Sequence, residues 1–255
     1  MLRPRIIPSL LIHKKGLVKT FNFKESKYVG DPINAVKIFN EKEVDELIVV
    51  DIDATVEGRG PDFDLIKKMA IECRMPFCYG GGVTTVEEAR KIVQFGAEKV
   101  AFSNAVINNP SLIKEVSDAI GLQSVVVVLD YKKKGLLGKL ELFTHNGKKN
   151  TGVKLFDFVK KIRDIGVGEI VLNSIERDGK VQGYDTDTVT KVRELFDGPI
   201  TVLGGAGSLD HIKALVEKFR IIGAAAGSLF VFKGKYRAVL INYPSFSEKK
   251  KILEK

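Results

Sequence analysis

Ile170-Val-Leu-Asn173 is followed by Leu203-Gly-Gly-Ala-Gly207 and then by Gly227-Ser228, an apolar run and two glycine turns in sequence. It has an earlier counterpart: Ile48-Val-Val-Asp51, then Tyr79-Gly-Gly-Gly82, then Ser103-Asn104. The two trains lie about 122 to 124 residues apart, and self-similarity at a fixed spacing marks a repeated structural unit. Leu10-Leu-Ile-His-Lys-Lys-Gly16 likewise echoes Leu129-Asp-Tyr-Lys-Lys-Lys-Gly135, which sets Leu11 opposite Asp130.

Each apolar, β-branched run precedes a segment of helical periodicity. Strands are expected at Arg5–Leu10, Glu46–Ile52, Pro76–Tyr79, Lys99–Ser103, Ser124–Asp130, Glu169–Asn173, Pro199–Leu203 and Ile222–Ala226. Helices are expected between them, among them Thr85–Phe95 and Gly152–Ile165. Eight strands alternating with helices in a chain of 255 residues predict an α/β fold, a (βα)8 TIM barrel made of two half-barrel repeats. The halves are expected at about residues 1–120 and 121–240 of a single domain, with a basic C-terminal tail.

Composition narrows the function. Hydrophobic residues at 44% and charged residues at 29% describe a globular chain, and no apolar run reaches the roughly 20 residues of a membrane span. Pro8 interrupts the N-terminal apolar stretch, so no signal peptide is expected and the protein reads as cytoplasmic. Cys73, Cys78 and three scattered His form neither a disulfide framework nor a zinc pattern; no metal and no cofactor are expected. The net charge of +9 gathers in His13-Lys-Lys15, Lys132-Lys-Lys134, Lys148-Lys149 and Lys249-Lys-Lys251. Without Trp or interleaved aromatics, these runs fit attraction of an anionic small molecule better than nucleic acid.

The glycine clusters supply the expected anion sites. Glycines after a strand and before a helix let backbone N–H groups approach phosphate oxygens, although such turns also need glycine for geometry alone. Two matching clusters predict one cradle at Gly204, Gly205 and Gly207 with Gly227 and Ser228, and a weaker one at Gly81 and Gly82 with Asn104. The ligand would be a phosphorylated small molecule with a phosphate at each end.

Asp51, Asp53, Asp130 and Glu176 fall at predicted C-terminal strand ends, where barrel enzymes place their chemistry. Each serves as a proton-transfer group or as an ordinary turn residue. Leu11, the repeat partner of Asp130, can do neither. At the other end Arg5, Glu46, Lys99 and Glu169 each open a predicted strand, so they are solvated termini or a closed ring of balanced charge. As an exposed ring it would contribute little stability, and charge reversal at Lys99 is expected to disturb transport more than folding.

Over nearly its whole length the chain resembles the cyclase subunit of imidazole glycerol phosphate synthase. The resemblance is carried by Arg5-Ile-Ile-Pro8, Gly30-Asp-Pro32, Asp45-Glu-Leu47, Gly80-Gly-Gly82, Lys148-Lys-Asn-Thr-Gly152, Arg177-Asp-Gly179, Gly183-Tyr-Asp185 and Gly204-Gly-Ala-Gly207. It implies a heterodimer with a glutaminase at the N-terminal barrel face, with Arg5, Glu46, Lys99 and Glu169 as the gate of an ammonia channel. It implies catalysis by Asp130, with Lys19, Asp51 and Glu176 toward the substrate. Two departures stand out: Leu11 occupies the place of the family's other catalytic aspartate, and Ser103-Asn104 stands where the family shows Asn-Thr.

The missing aspartate, the Leu10-Leu11 pair and Lys37-Ile-Phe-Asn-Glu-Lys-Glu-Val-Asp-Glu-Leu47 resemble the branch encoded with surface-polysaccharide pathways. That resemblance implies an ammonia-supplying subunit of a glutamine amidotransferase serving amidation of an acetamido sugar, alongside a sugar amidotransferase. The alternative is a cyclase, a lyase of histidine biosynthesis. An unrelated phosphate-sugar isomerase is a third class, against which the gate residues argue.

Overall fold

The computed structural model describes residues 3–135 and 138–253. Its barrel strands are β1 (Arg5–His13), β2 (Leu47–Asp51), β3 (Phe77–Gly80), β4 (Lys99–Phe102), β5 (Val125–Lys134), β6 (Glu169–Ser174), β7 (Ile200–Leu203) and β8 (Gly223–Ala226). Each pairs in parallel with the next, and β8 pairs with β1 through Arg5 opposite Gly223. The sheet therefore closes on itself as the expected (βα)8 TIM barrel.

Two packed layers hold it. Strand side chains alternate between faces, so those pointing outward meet apolar stripes such as Val36 and Phe39, Ile66 and Met69, or Phe158, Val159 and Ile162 on the surrounding helices. Those pointing inward form a separate small core of Ile7, Ile48, Cys78, Ala101, Val126, Val171 and Ala225. Helix starts follow local chemistry: Thr85 caps helix Val86–Gln94 in a capping box with Glu88, and Asp31 caps helix Pro32–Glu41.

The structure differs from the sequence expectations at both long strands. β1 runs on to His13 and β5 to Lys134, each turning into a hairpin that pattern reading missed. The first pairs β1 with Gly16–Phe21, which pairs in turn with Glu25–Gly30; the second pairs β5 with Lys139–Thr144 and that with Lys149–Lys154. These ribbons are rich in Lys and polar residues, so they carry little of the apolar alternation that marks a strand. Asn146-Gly147 was the available signal, since that dipeptide favours tight hairpin turns. The expected helix Gly152–Ile165 accordingly starts at Leu155.

The basic C-terminal stretch is not a free tail. Helix Phe246–Leu253 buries Ile252, while the Tyr243 hydroxyl donates to the Ile6 carbonyl (2.8 Å) and Lys249 pairs with Asp45 (3.1 Å). No helix among the described residues is long and apolar enough to cross a membrane.

Candidate functional site

The barrel's bottom end is closed by Arg5, Lys99 and Glu169, which open β1, β4 and β6, and by Glu46, which immediately precedes β2. Arg5 pairs with Glu46 and, at 2.7 Å, with Glu169; Lys99 reaches Glu46 and Glu169 at 2.8 Å each. Each carboxylate thus meets both cations, and Thr201 on β7 adds a 2.5 Å hydrogen bond to Glu169. Burial alone would raise the Glu169 carboxyl, but Arg5 and Lys99 outweigh it and hold it at about 2.

The expectation of an exposed ring is corrected here. Glu46 and Glu169 are 2% and 3% exposed, so removing one cation would leave a buried carboxylate half-paired, at a cost of about 3–5 kcal/mol.

Above the ring lies the apolar inner core, where burial pushes the Cys78 thiol well above its ordinary range. Beyond it the barrel opens into a mouth cavity of about 1030 Å³. Leu11 and Asp130 both line it, from β1 and β5, as the repeat requires. Asp130 accepts a 2.7 Å hydrogen bond from Asn173 on β6, and its burial outweighs that bond, pushing the carboxyl up to about 7. A carboxyl poised there exchanges protons readily near neutrality. Leu11 cannot share the task.

Lys19 is also in the cavity, but it is buried in a 2.6 Å ion pair with Asp178, which further accepts from Thr20. Its stem lies against Gly227, where a Cβ would come within 2.9 Å of it. Asp51 lines the cavity yet is fully engaged. Arg59 grips it at 2.8 and 3.1 Å, and it caps the Asp53 and Ala54 amides at 3.0 and 3.2 Å. Its place is to hold the loop after β2 rather than to offer a free carboxylate to a ligand.

Glu176 does not belong to this cavity. It is exposed in a separate groove of about 710 Å³ on the outer flank, with Lys133, Lys154 and Arg177.

The two glycine clusters come out in the reverse order to expectation. Gly81 and Gly82 line the mouth at φ +122° and +72°, and a Cβ on Gly81 would stand 2.5 Å from the Asp51 carbonyl. Asn104 faces the same space, beside a buried Ser103 hydroxyl that has no partner among the described residues. Such an orphaned donor suits an anion brought from outside. Gly204, Gly205 and Gly207 instead sit under the loop after β6. Gly183 donates its N–H to the Gly205 carbonyl at 2.8 Å, and Val181 covers Gly207. Ser228 opens helix Ser228–Val231, and of this cluster only Gly227 reaches the mouth cavity.

The structure therefore gathers Leu11, Lys19, Asp51, Gly81, Gly82, Asn104, Asp130 and Gly227 at the mouth, and Arg5, Glu46, Lys99 and Glu169 at the bottom. Sequence reasoning missed Asn173 and Asp178, whose roles depend on contacts between elements distant in the chain, and Arg59, whose loop folds back onto Asp51 eight residues earlier. Among the described residues no group of three His, Cys, Asp or Glu could hold a metal ion.

A model of the histidine biosynthesis protein family matches residues 5–237. The chain is 58% identical over 254 residues to a Vibrio vulnificus (strain YJ016) protein provisionally named imidazole glycerol phosphate synthase subunit hisF3, covering 100% of this chain and 98% of that one. It is 48% identical over 248 residues to a similarly provisional subunit hisF2 of Pseudomonas aeruginosa (97% and 98% covered). With imidazole glycerol phosphate synthase subunit HisF of Thermotoga sp. (strain RQ2) it shares 40% over 236 residues, covering 91% of each chain.

Proposed function

The chain belongs to the histidine biosynthesis protein family, as a HisF-like imidazole glycerol phosphate synthase cyclase subunit, and from that premise we propose that it works chiefly as the ammonia-receiving subunit of a glutamine amidotransferase. In this reading a glutaminase docks on the charged ring, ammonia crosses the barrel axis, and the mouth delivers it to an acceptor. The ammonia serves amidation of an acetamido sugar in surface-polysaccharide biosynthesis, and the chain has weak or no cyclase chemistry of its own.

The observation that carries the reading is Leu11 across the mouth from Asp130, above a complete ring. Closing an imidazole ring while a fragment leaves requires protons to be both taken up and delivered. Losing one of two proton-transfer groups typically costs roughly 10²- to 10⁴-fold. The apolar inner layer of Ile7, Ile48, Ala101, Val126, Val171 and Ala225 suits passage of ammonia as the neutral molecule, because desolvation disfavours the ammonium form.

A catalytic cyclase of histidine biosynthesis is the second reading. One observation favours it: Asp130 at about 7 beside an open first cradle still presents a proton-transfer group next to an anion site.

The test is copurification with a glutaminase, followed by glutamine-driven assays against the cyclase substrate and against an acetamido sugar with its ATP-dependent ligase. Sugar amidation without cyclase turnover is expected. Cyclase turnover with no third protein would overturn the proposal.

A further inference from the structure

Neither reading uses one pair at the mouth. Alternation along β1 brings Ser9, Leu11 and His13 to the cavity side, so His13 stands two residues, roughly 7 Å, rimward of Leu11. Its Nδ1 lies 2.7 Å from Asp53 Oδ1, and Asp53 Oδ2 accepts the Lys14 amide at 2.7 Å. Burial opposes the charge on Asp53, yet the Lys14 amide and His13 outweigh it and hold the carboxyl below its ordinary range.

An ionised carboxylate only accepts hydrogen bonds, so the imidazole proton is placed on Nδ1 and Nε2 is left with its lone pair. The His13 side chain is 33% exposed and borders the cavity. A base oriented by a third group through its other ring nitrogen is the arrangement that activates nucleophiles in unrelated enzymes.

We propose that His13, oriented by Asp53, is the proton acceptor of this mouth, taking a proton from the ammonia nitrogen as that nitrogen adds to an activated carboxyl or amide carbon presented at the rim. The inference rests on the reading that ammonia meets its acceptor at the mouth. In the step, the nitrogen lone pair forms the C–N bond while the carbon's π pair moves onto its doubly bonded oxygen or nitrogen, to return when the leaving group departs, and the N–H pair stays on the attacking nitrogen as the proton moves to Nε2. The imidazolium, held by Asp53, then gives that proton to the oxygen leaving group as its bond to carbon breaks, and neutral imidazole is restored. His13 is the catalytic residue here and Asp53 the positioning residue.

The pair also closes the Lys14-Lys15 turn, whose residues lie at φ 48° and 65°, so the test must separate chemistry from anchoring. The probe is p-nitrophenyl acetate in ammonium buffer, with acetamide as the measured product and ammonia supplied from solution. Wild type is expected to form acetamide at least about 10²-fold faster than His13→Asn, which keeps an N–H donor for Asp53 and so keeps the turn. Asp53→Asn should lose roughly 10-fold, and ¹⁵N spectra should show a single Nδ1-protonated His13 in wild type but mixed tautomers in the variant. Equal acetamide rates in wild type and His13→Asn would overturn the dyad. So would a wild-type spectrum with the proton on Nε2, a measurement that needs no variant to fold. Because no glutaminase is involved, failure of the ammonia route would show instead as lost glutamine-driven transfer with these rates intact.

Discussion

The two ends of this barrel are finished differently. At the bottom, two cations and two carboxylates close on one another, every carboxylate meets both cations, and Thr201 completes Glu169. At the mouth, Asp130 has a hydrogen bond from Asn173 and faces Leu11, while the Ser103 hydroxyl and the Asn173 side-chain oxygen Oδ1 are buried without partners among the described residues. A closed end suits a gate that must be opened for each passage. An end with unmet polar groups is built to be completed by something from outside. The contrast teaches that one barrel can satisfy every charge at one end and leave polar groups unmet at the other, with an apolar layer between the two.

The largest expected effect breaks the comparison at the bottom. Lys99→Met leaves Glu46 and Glu169 sharing Arg5 alone, so stability should fall by about 3–5 kcal/mol. Glutamine-driven transfer in the glutaminase complex should fall by about 10²-fold, beyond what the lost fold explains. Denaturant melts beside a transfer assay check both, and unchanged transfer would remove the gate.

A smaller effect sharpens the comparison, because the ends should respond to pH with opposite sign. Arg5 and Lys99 hold Glu169 below its ordinary 4.5, so its contribution is present above pH 4.5 and is lost as pH falls toward 2, while the raised Glu46 carboxyl of the same ring offsets part of that loss. Asp130, half-buried on the cavity wall, is raised from 3.8 to about 7, so the stability linked to it is present below 3.8 and is lost as pH rises toward 7. Urea melts across this range should show Glu169→Gln flattening the acid limb and Asp130→Asn flattening the neutral one. A neutral limb unchanged in Asp130→Asn would show that its carboxyl is not buried as described.

The smallest effect concerns the cradles. Inorganic phosphate at about 100 times its dissociation constant should stabilise the protein by about 2.7 kcal/mol. Gly82→Ala, at φ +72° and pressed against Arg59 and Ala54, should remove most of that protection. Gly207→Ala should leave it, because the loop after β6 already covers that cluster. Thermal shift titrations decide, and the reverse pattern would restore the second cradle as the anion site.

The barrel was legible because its evidence is local and repeated. Ile48–Asp51 and Ile170–Asn173 announce buried parallel strands, and their shared spacing announces the duplication. The ring was legible too, since Arg5, Glu46, Lys99 and Glu169 stand at or beside strand starts, and strand starts of a barrel meet. The mouth was legible only in part. Asp130 and Leu11 follow from the repeat, but Asp51 read as an available carboxylate because nothing local says that Arg59 folds back onto it. Glu176 read as part of the mouth because strand ends can be predicted, whereas the direction of the loop beyond them cannot. The second glycine cluster read as the stronger cradle for the same reason: the cover on Gly205 comes from Gly183, a residue of another loop.

Whether the mouth has lost its cyclase chemistry is decided by ammonia-driven turnover of the cyclase substrate by the isolated chain, compared across wild type, Leu11→Asp and Asp130→Asn. Negligible turnover is expected in wild type and in Asp130→Asn, with a gain of about 10²-fold or more only in Leu11→Asp, where the second carboxylate is restored. Robust wild-type turnover abolished by Asp130→Asn would contradict it and leave the chain a working cyclase.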